Sequence, residues 1–172
     1  MTTDRIPTRV LAYGSFALVV FGMLLTVVAQ CSANANARAA VPAAVCDWDD
    51  EFASALGPLG EDPADWTVAA ELKGGASGLT HPATVTASVS RQTPCGLVQG
   101  AVAHEWMHLQ TLRAWGPDAA REAYRADPDR LERLADCGAR FLGATYTPYL
   151  DQTGPCTPAE VAEARSLMGK VR

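Results

Sequence analysis

The stretch AVAHEWMHLQ, residues 101–110, decides how the rest of the chain is read. It holds two of the three histidines, His104 and His108, four residues apart, with Glu105 directly after the first. Leu97, Ala101, His104, His108 and Leu112 recur at helical intervals, and Gly116-Pro117 supplies a stop. The spacing predicts one helix from about Gly96 to that stop. Residues i and i+4 share a helical face, so the two imidazoles stand side by side and can grip one metal ion. Glu105 is rotated by one position. It would flank such an ion, where it can take a proton from water. The plainer alternative, two polar residues that merely share a helix, leaves Glu105 without a role.

Further along, a short helix is expected over Asp118 to Arg125. Asp127-Pro128-Asp129 then signals a new start, with Asp as N-cap and Pro at the first helical position. The helix that follows, drawn to about Thr145, contains RLERLADCGARFLG. Within it Glu132 and Asp136 again lie four apart, a carboxylate pair on one face. One member can ligate a metal, and the other can accept the free N–H of a ligand histidine and fix its tautomer. A solvated helix face is the alternative reading of that pair. TYTPYLDQTGPC, residues 145–156, reads as a loop. Thr157-Pro158-Ala159-Glu160 reads as a capping box opening a last helix to about Met168.

Upstream of the histidines the period is different. CDWDDEFASALG, residues 46–57, spaces Trp48, Phe52, Ala55 and Leu56 as a helix ended by Gly57-Pro58. Its acidic residues fall in the first turn, where they suit the helix dipole; a calcium role for them is the lesser alternative. DWTVAAELK alternates, with Trp66, Val68, Ala70 and Leu72 to one side. ATVTASVS alternates again, with Val85, Ala87 and Val89 inward. GGASG between them reads as a turn, and the two strands are expected to pair antiparallel.

The N-terminus is of another kind. MTTDRIPTR is polar and weakly basic, VLAYGSFALVVFGMLLTVVAQ is nearly uncharged, and CSANANARAAVPAA is rich in small residues. This is the order of a secretory signal. The apolar run is also long enough to span a bilayer, so residues 1–40 are read as a cleaved signal peptide or a retained signal-anchor helix with a small-residue linker. Residues 45–172 form the mature domain, which lies outside the cytoplasm in either case. A lipid-anchored Cys31 is disfavoured by Gln30 before it. Cys46, Cys95, Cys137 and Cys156 remain, an even number in a small exported domain, which reads as two disulfides. Three pairings exist. Cys46–Cys95 with Cys137–Cys156 closes two moderate loops and is preferred. The net charge is −5 and no Lys/Arg-rich run occurs, which excludes nucleic acid as partner.

HEWMH followed by ERLAD resembles the H-E-x-x-H … E-x-x-A-D pattern of zinc metallopeptidases of the gluzincin type. The fuller strings VAHEWMHLQ and LERLADCGA are similar to those of bacterial neutral zinc metallopeptidases, over roughly residues 84–145. The resemblance implies an α+β fold: a minimal zincin-like domain with a small antiparallel sheet and an active-site helix pair. It implies Zn²⁺ on His104, His108 and Glu132, with Glu105 as general base and Asp136 as partner of a ligand histidine. It also implies that the strand ATVTASVS is an edge strand along which an extended peptide or protein substrate lies. One departure stands out: Met107 occupies a position where the pattern often has Gly, and with Trp106 it adds bulk beside the motif. His81, Tyr146 and Tyr149 are candidate donors to a developing oxyanion, and nothing in the sequence selects among them.

The expected activity is hydrolysis of peptide bonds outside the cytoplasm, by a protein secreted or held to the membrane by its N-terminal segment. Two other classes stand beside it. One is an inactive metal-binding domain that recognises a partner through its cleft, which the presence of Glu105 argues against. The other is a disulfide-stapled cell-surface interaction domain in which the histidines are incidental.

Overall fold

The computed structural model describes residues 46–169. The signal or anchor helix expected within residues 1–40 lies outside the described residues. A compact unit begins at Cys46, next to the boundary expected at residue 45.

The fold is mixed α+β. Helix α1, Trp48–Leu56, is capped by Asp47, whose carboxylate accepts from the Asp49 and Asp50 amides. It buries Phe52, Ala55 and Leu56 and stops at Gly57. Three strands follow: β1, Trp66–Ala69; β2, Gly78–His81; and β3, Thr86–Ser90. Then come α2, Val98–Trp115, and α3, Pro117–Ala126. The remaining helices are α4, Pro128–Phe141; α5, Pro148–Thr153; and α6, Pro158–Gly169.

The sheet corrects the expected antiparallel pair. Its order is β1-β3-β2, with β1 parallel to β3 and β2 antiparallel to β3. A third strand, Gly78–His81, begins at the last residue of the expected GGASG turn and returns through a tight turn into β3. Strand β3 is therefore the central strand, paired on both sides. Ala87 and Val89 are buried, and so are Ser88 and Ser90 on its other face. The edge strand upstream of α2 is β2. Val85, expected inside the strand, sits instead in the turn with φ 54°, its amide closing on the His81 carbonyl at 2.9 Å. Ala70, expected inward with Trp66, is exposed beyond the end of β1. Period-two alternation gives a strand its faces; it does not say which neighbour the strand pairs with.

Helix α2 is the axis of the core. It packs against α4, α1, the sheet and α6, and buries Val98, Val102, Leu109 and Leu112 among others. Gly116, with φ 84°, breaks the chain between α2 and α3. Asp127 caps α4 by accepting from the Arg130 amide, but α4 ends at Phe141, short of Thr145, where Gly143 turns with φ 92°. The segment read as a loop contains α5, started by Pro148 at its first turn. The capping box of α6 forms as expected: the Thr157 amide donates to Glu160 at 2.6 Å, and the Glu160 amide to Thr157 Oγ1 at 3.3 Å.

Among the described residues two disulfides are present, Cys46–Cys95 and Cys137–Cys156. They suit an oxidising compartment. The first ties the start of α1 to the turn before α2; the second ties α4 to the segment before α6. Among the described residues no helix is long and apolar enough to cross a membrane.

Candidate metal centre

Helices α2 and α4 lie side by side and bring His104, His108 and Glu132 together. One ligand atom from each falls within 4.8 Å of the others. His104 Nε2 is 3.0 Å from Glu132 Oε2 and 3.1 Å from His108 Nε2, and His108 Nε2 is 3.4 Å from Glu132 Oε2. Ligand atoms on a tetrahedron with bonds of about 2.0–2.1 Å stand about 3.3 Å apart. The observed triangle has that size.

Asp136 decides what these atoms offer. Its side chain is 1% exposed. Oδ1 is 2.7 Å from His104 Nδ1, and Oδ2 accepts from the amides of Tyr149 and Leu150 at 2.8 and 3.2 Å. The carboxylate is thus fixed by the first turn of α5. It holds the His104 proton on Nδ1 and leaves the Nε2 lone pair facing Glu132 and His108. Acceptor atoms crowded in this way need a positive charge among them, and the group could hold a metal ion. A proton on His104 Nε2 can supply that charge as well. Burial works against a charged His104, but Asp136 and Glu132 outweigh it and push it up to about 10. Burial likewise works to raise Glu132, yet hydrogen bonds from His104 and His108 hold it well below the usual carboxylate range.

Glu105 lies on the adjacent wall, 6% exposed. Thr80 of the edge strand β2 donates to its Oε2 at 2.7 Å. Gly78 of the same strand leaves room for its side chain, since a Cβ there would overlap Glu105. Together these residues line a cavity of about 590 Å³, whose walls include Leu79, Ala101, Leu112, Tyr124, Leu131 and Tyr146.

The proposed oxyanion donors separate. Tyr149 lines the cavity, its ring 6.0 Å from the His104 ring. Burial and the charges of Glu132 and Asp136 push its phenol up to about 12. Tyr146 lines the cavity and is 47% exposed. His81 is not brought to the cluster: its Nε2 is held by Ser88 Oγ at 2.8 Å. Sequence reasoning missed Tyr124, whose hydroxyl donates to Glu132 Oε1 at 2.9 Å. It also missed Thr80 and Gly78. Tyr124 carried a signal only in lying four residues after Ala120, on the buried side of α3.

The bulky pair beside the motif faces away from the cavity. Trp106 donates through Nε1 to Glu61 at 2.9 Å, and Arg113 pairs with the same carboxylate at 2.6 Å. Met107 is fully buried against α4. The added bulk is absorbed by packing, and neither side chain lines the cavity.

No family model, no curated protein and no solved structure matches the chain.

Proposed function

We propose that this chain is a small extracytoplasmic zinc metallopeptidase with a zincin-like arrangement of helices and sheet. The observation that supports it best is the convergence of two imidazole nitrogens and one carboxylate oxygen beside Glu105, on the wall of a cavity flanked by a sheet edge.

Two histidines and a glutamate are a zinc donor set that leaves a fourth position for water or substrate. Zn²⁺ held there would supply Lewis acidity, polarising a peptide carbonyl and making water a better nucleophile. The chain's own residues do the rest. Glu105, aimed by Thr80, accepts the proton from the attacking water and hands it to the leaving amine. Strand β2, not β3, offers the free backbone edge on which an extended peptide can lie. Tyr149 and Tyr146, both on the cavity wall, would be the donors to the oxyanion. Burial and the charges of Glu132 and Asp136 keep the Tyr149 hydroxyl protonated at neutral pH. The apolar N-terminal run and the two disulfides support a secreted or membrane-anchored location.

The test is zinc stoichiometry on the purified full chain, wild type beside Glu132→Gln and His108→Ala, followed by cleavage of a peptide library with Glu105→Gln as control. About one zinc per wild-type chain, lost or weakened in both ligand variants, and cleavage lost in Glu105→Gln, is the expected result. A folded wild type that binds no zinc would overturn the reading in favour of a surface interaction domain. Zinc binding without cleavage of any peptide would leave a metal-binding recognition domain.

A further inference from the structure

We propose that Tyr124 is a positioning residue that confines Glu132 to a single metal-facing oxygen and so keeps a coordination position open for water and substrate. The proposal rests on the three-ligand reading of the cluster and adds a fourth participant to it.

The two oxygens of Glu132 have separate partners. Oε2 faces His104 Nε2 and His108 Nε2, at 3.0 and 3.4 Å. Oε1 faces away from them and accepts the Tyr124 hydroxyl at 2.9 Å. A carboxylate with both oxygens free can close on one ion with both of them and fill two positions, as carboxylates do around larger cations. A hydrogen bond on Oε1 opposes that rotation. It also orients the Oε2 lone pair, as partners of metal ligands generally do.

The placement of Tyr124 is built into the fold. Helix α3 buries Ala120; one turn later Tyr124 falls on the same side and reaches the cavity. Gly116 at one end and the capping Asp127 at the other join α3 to the two helices that carry the cluster. Tyr124 therefore spans α3 and α4 at the cavity mouth, 45% exposed. Tyr149 approaches the cluster from α5: its ring lies beside His104, its amide donates to Asp136, and its phenol also feels the Glu132 charge.

The test compares full-length wild type with Tyr124→Phe, which removes one hydroxyl from a half-exposed ring. Each is titrated with Zn²⁺ against a chromophoric chelator and then loaded with Co²⁺, whose visible absorption reports coordination number. The expected result is one metal per chain in both and an unchanged metal-free melting temperature. Zn²⁺ affinity falls about 10-fold in the variant, the lower end of what such partners contribute. Its Co²⁺ absorption weakens as coordination number rises. A Co²⁺ spectrum identical to wild type overturns the proposal even if affinity falls, because general packing would explain the loss. A wild type that binds neither metal overturns the site reading itself, and this proposal with it.

Discussion

Met107 lies where the side chain of residue 138 would begin: a Cβ built on Gly138 would overlap Met107 Sδ, Cγ and Cε. Met107 belongs to the helix of the two histidines and Gly138 to the helix of Glu132. The pair lets α2 and α4 approach closely enough for the three ligand atoms to meet. Gly138→Ala should therefore cost about 1–3 kcal/mol through overpacking and weaken metal binding by spreading the helices. In a Met107→Ala background the same change should cost less, with a coupling of about 0.5–3 kcal/mol. Denaturant titrations of the four proteins in that cycle measure this, and additive losses would show that the two residues do not share one space.

Gly78 stands in the same relation to Glu105. A Cβ at 78 would come within 2.6 Å of Glu105 Oε1 and 2.8 Å of Cδ. On the proposed peptidase reading, Gly78→Ala should leave metal content near wild type while lowering kcat about 100-fold, a loss that an ångström's displacement of a catalytic group can cause. Equal loss of metal and turnover would instead place Gly78 among the residues that support the cluster.

Asp136→Asn keeps the size of the side chain but replaces one acceptor oxygen by a donor. His104 Nδ1 or the α5 amides must then go unpaired in a buried setting. The expected result is a 10–100-fold loss of metal affinity and about 1–3 kcal/mol of stability. Both are read on one preparation, by chelator competition and by denaturant unfolding. Loss of stability alone would make Asp136 a cap for α5 and nothing more.

Glu160 gives a prediction in pH. Arg133 donates to both of its oxygens at 2.8 and 2.9 Å, and with the Thr157 contacts holds its carboxyl down to about 2 from an ordinary value of 4.5. A carboxylate lowered on folding stabilises the folded state fully above its unfolded pKa, and that contribution disappears as pH falls through the folded value. Glu160→Gln should cost about 1 kcal/mol at neutral pH, the size of a lost capping contact. It should also flatten the stability profile between pH 4.5 and 2. An unchanged slope in that window would mean that the Arg133 pair forms equally in the unfolded chain.

The local rules were legible to the extent that they are local. The helix around His104 and His108, the Asp127-Pro128 start and the Thr157/Glu160 box each depend on residues within four positions of one another. All three appear where the spacing puts them. Helix α5 was missed because only Pro148 marks it and its N-terminus is satisfied from elsewhere, by Asp136. Strand β2 was missed because Gly78–His81 is four residues long and begins with glycine. Its stability comes from pairing with β3, which no property of its own residues announces.

By itself the sequence determined the chemistry available: two imidazoles on one helical face, two carboxylates on another, a glutamate beside the first histidine, and four cysteines for two bridges. Only the tertiary structure decided which of these meet. It chose Glu132 Oε2 as the atom facing the imidazoles and gave Asp136 a double task as histidine partner and helix cap. It turned His81 away and brought in Tyr124, Thr80 and Gly78 from elements that carry no motif. The physical reason is range. Spacing fixes the direction of a side chain on its own helix or strand, whereas a contact 2.9 Å long between two elements depends on how both are packed by everything around them.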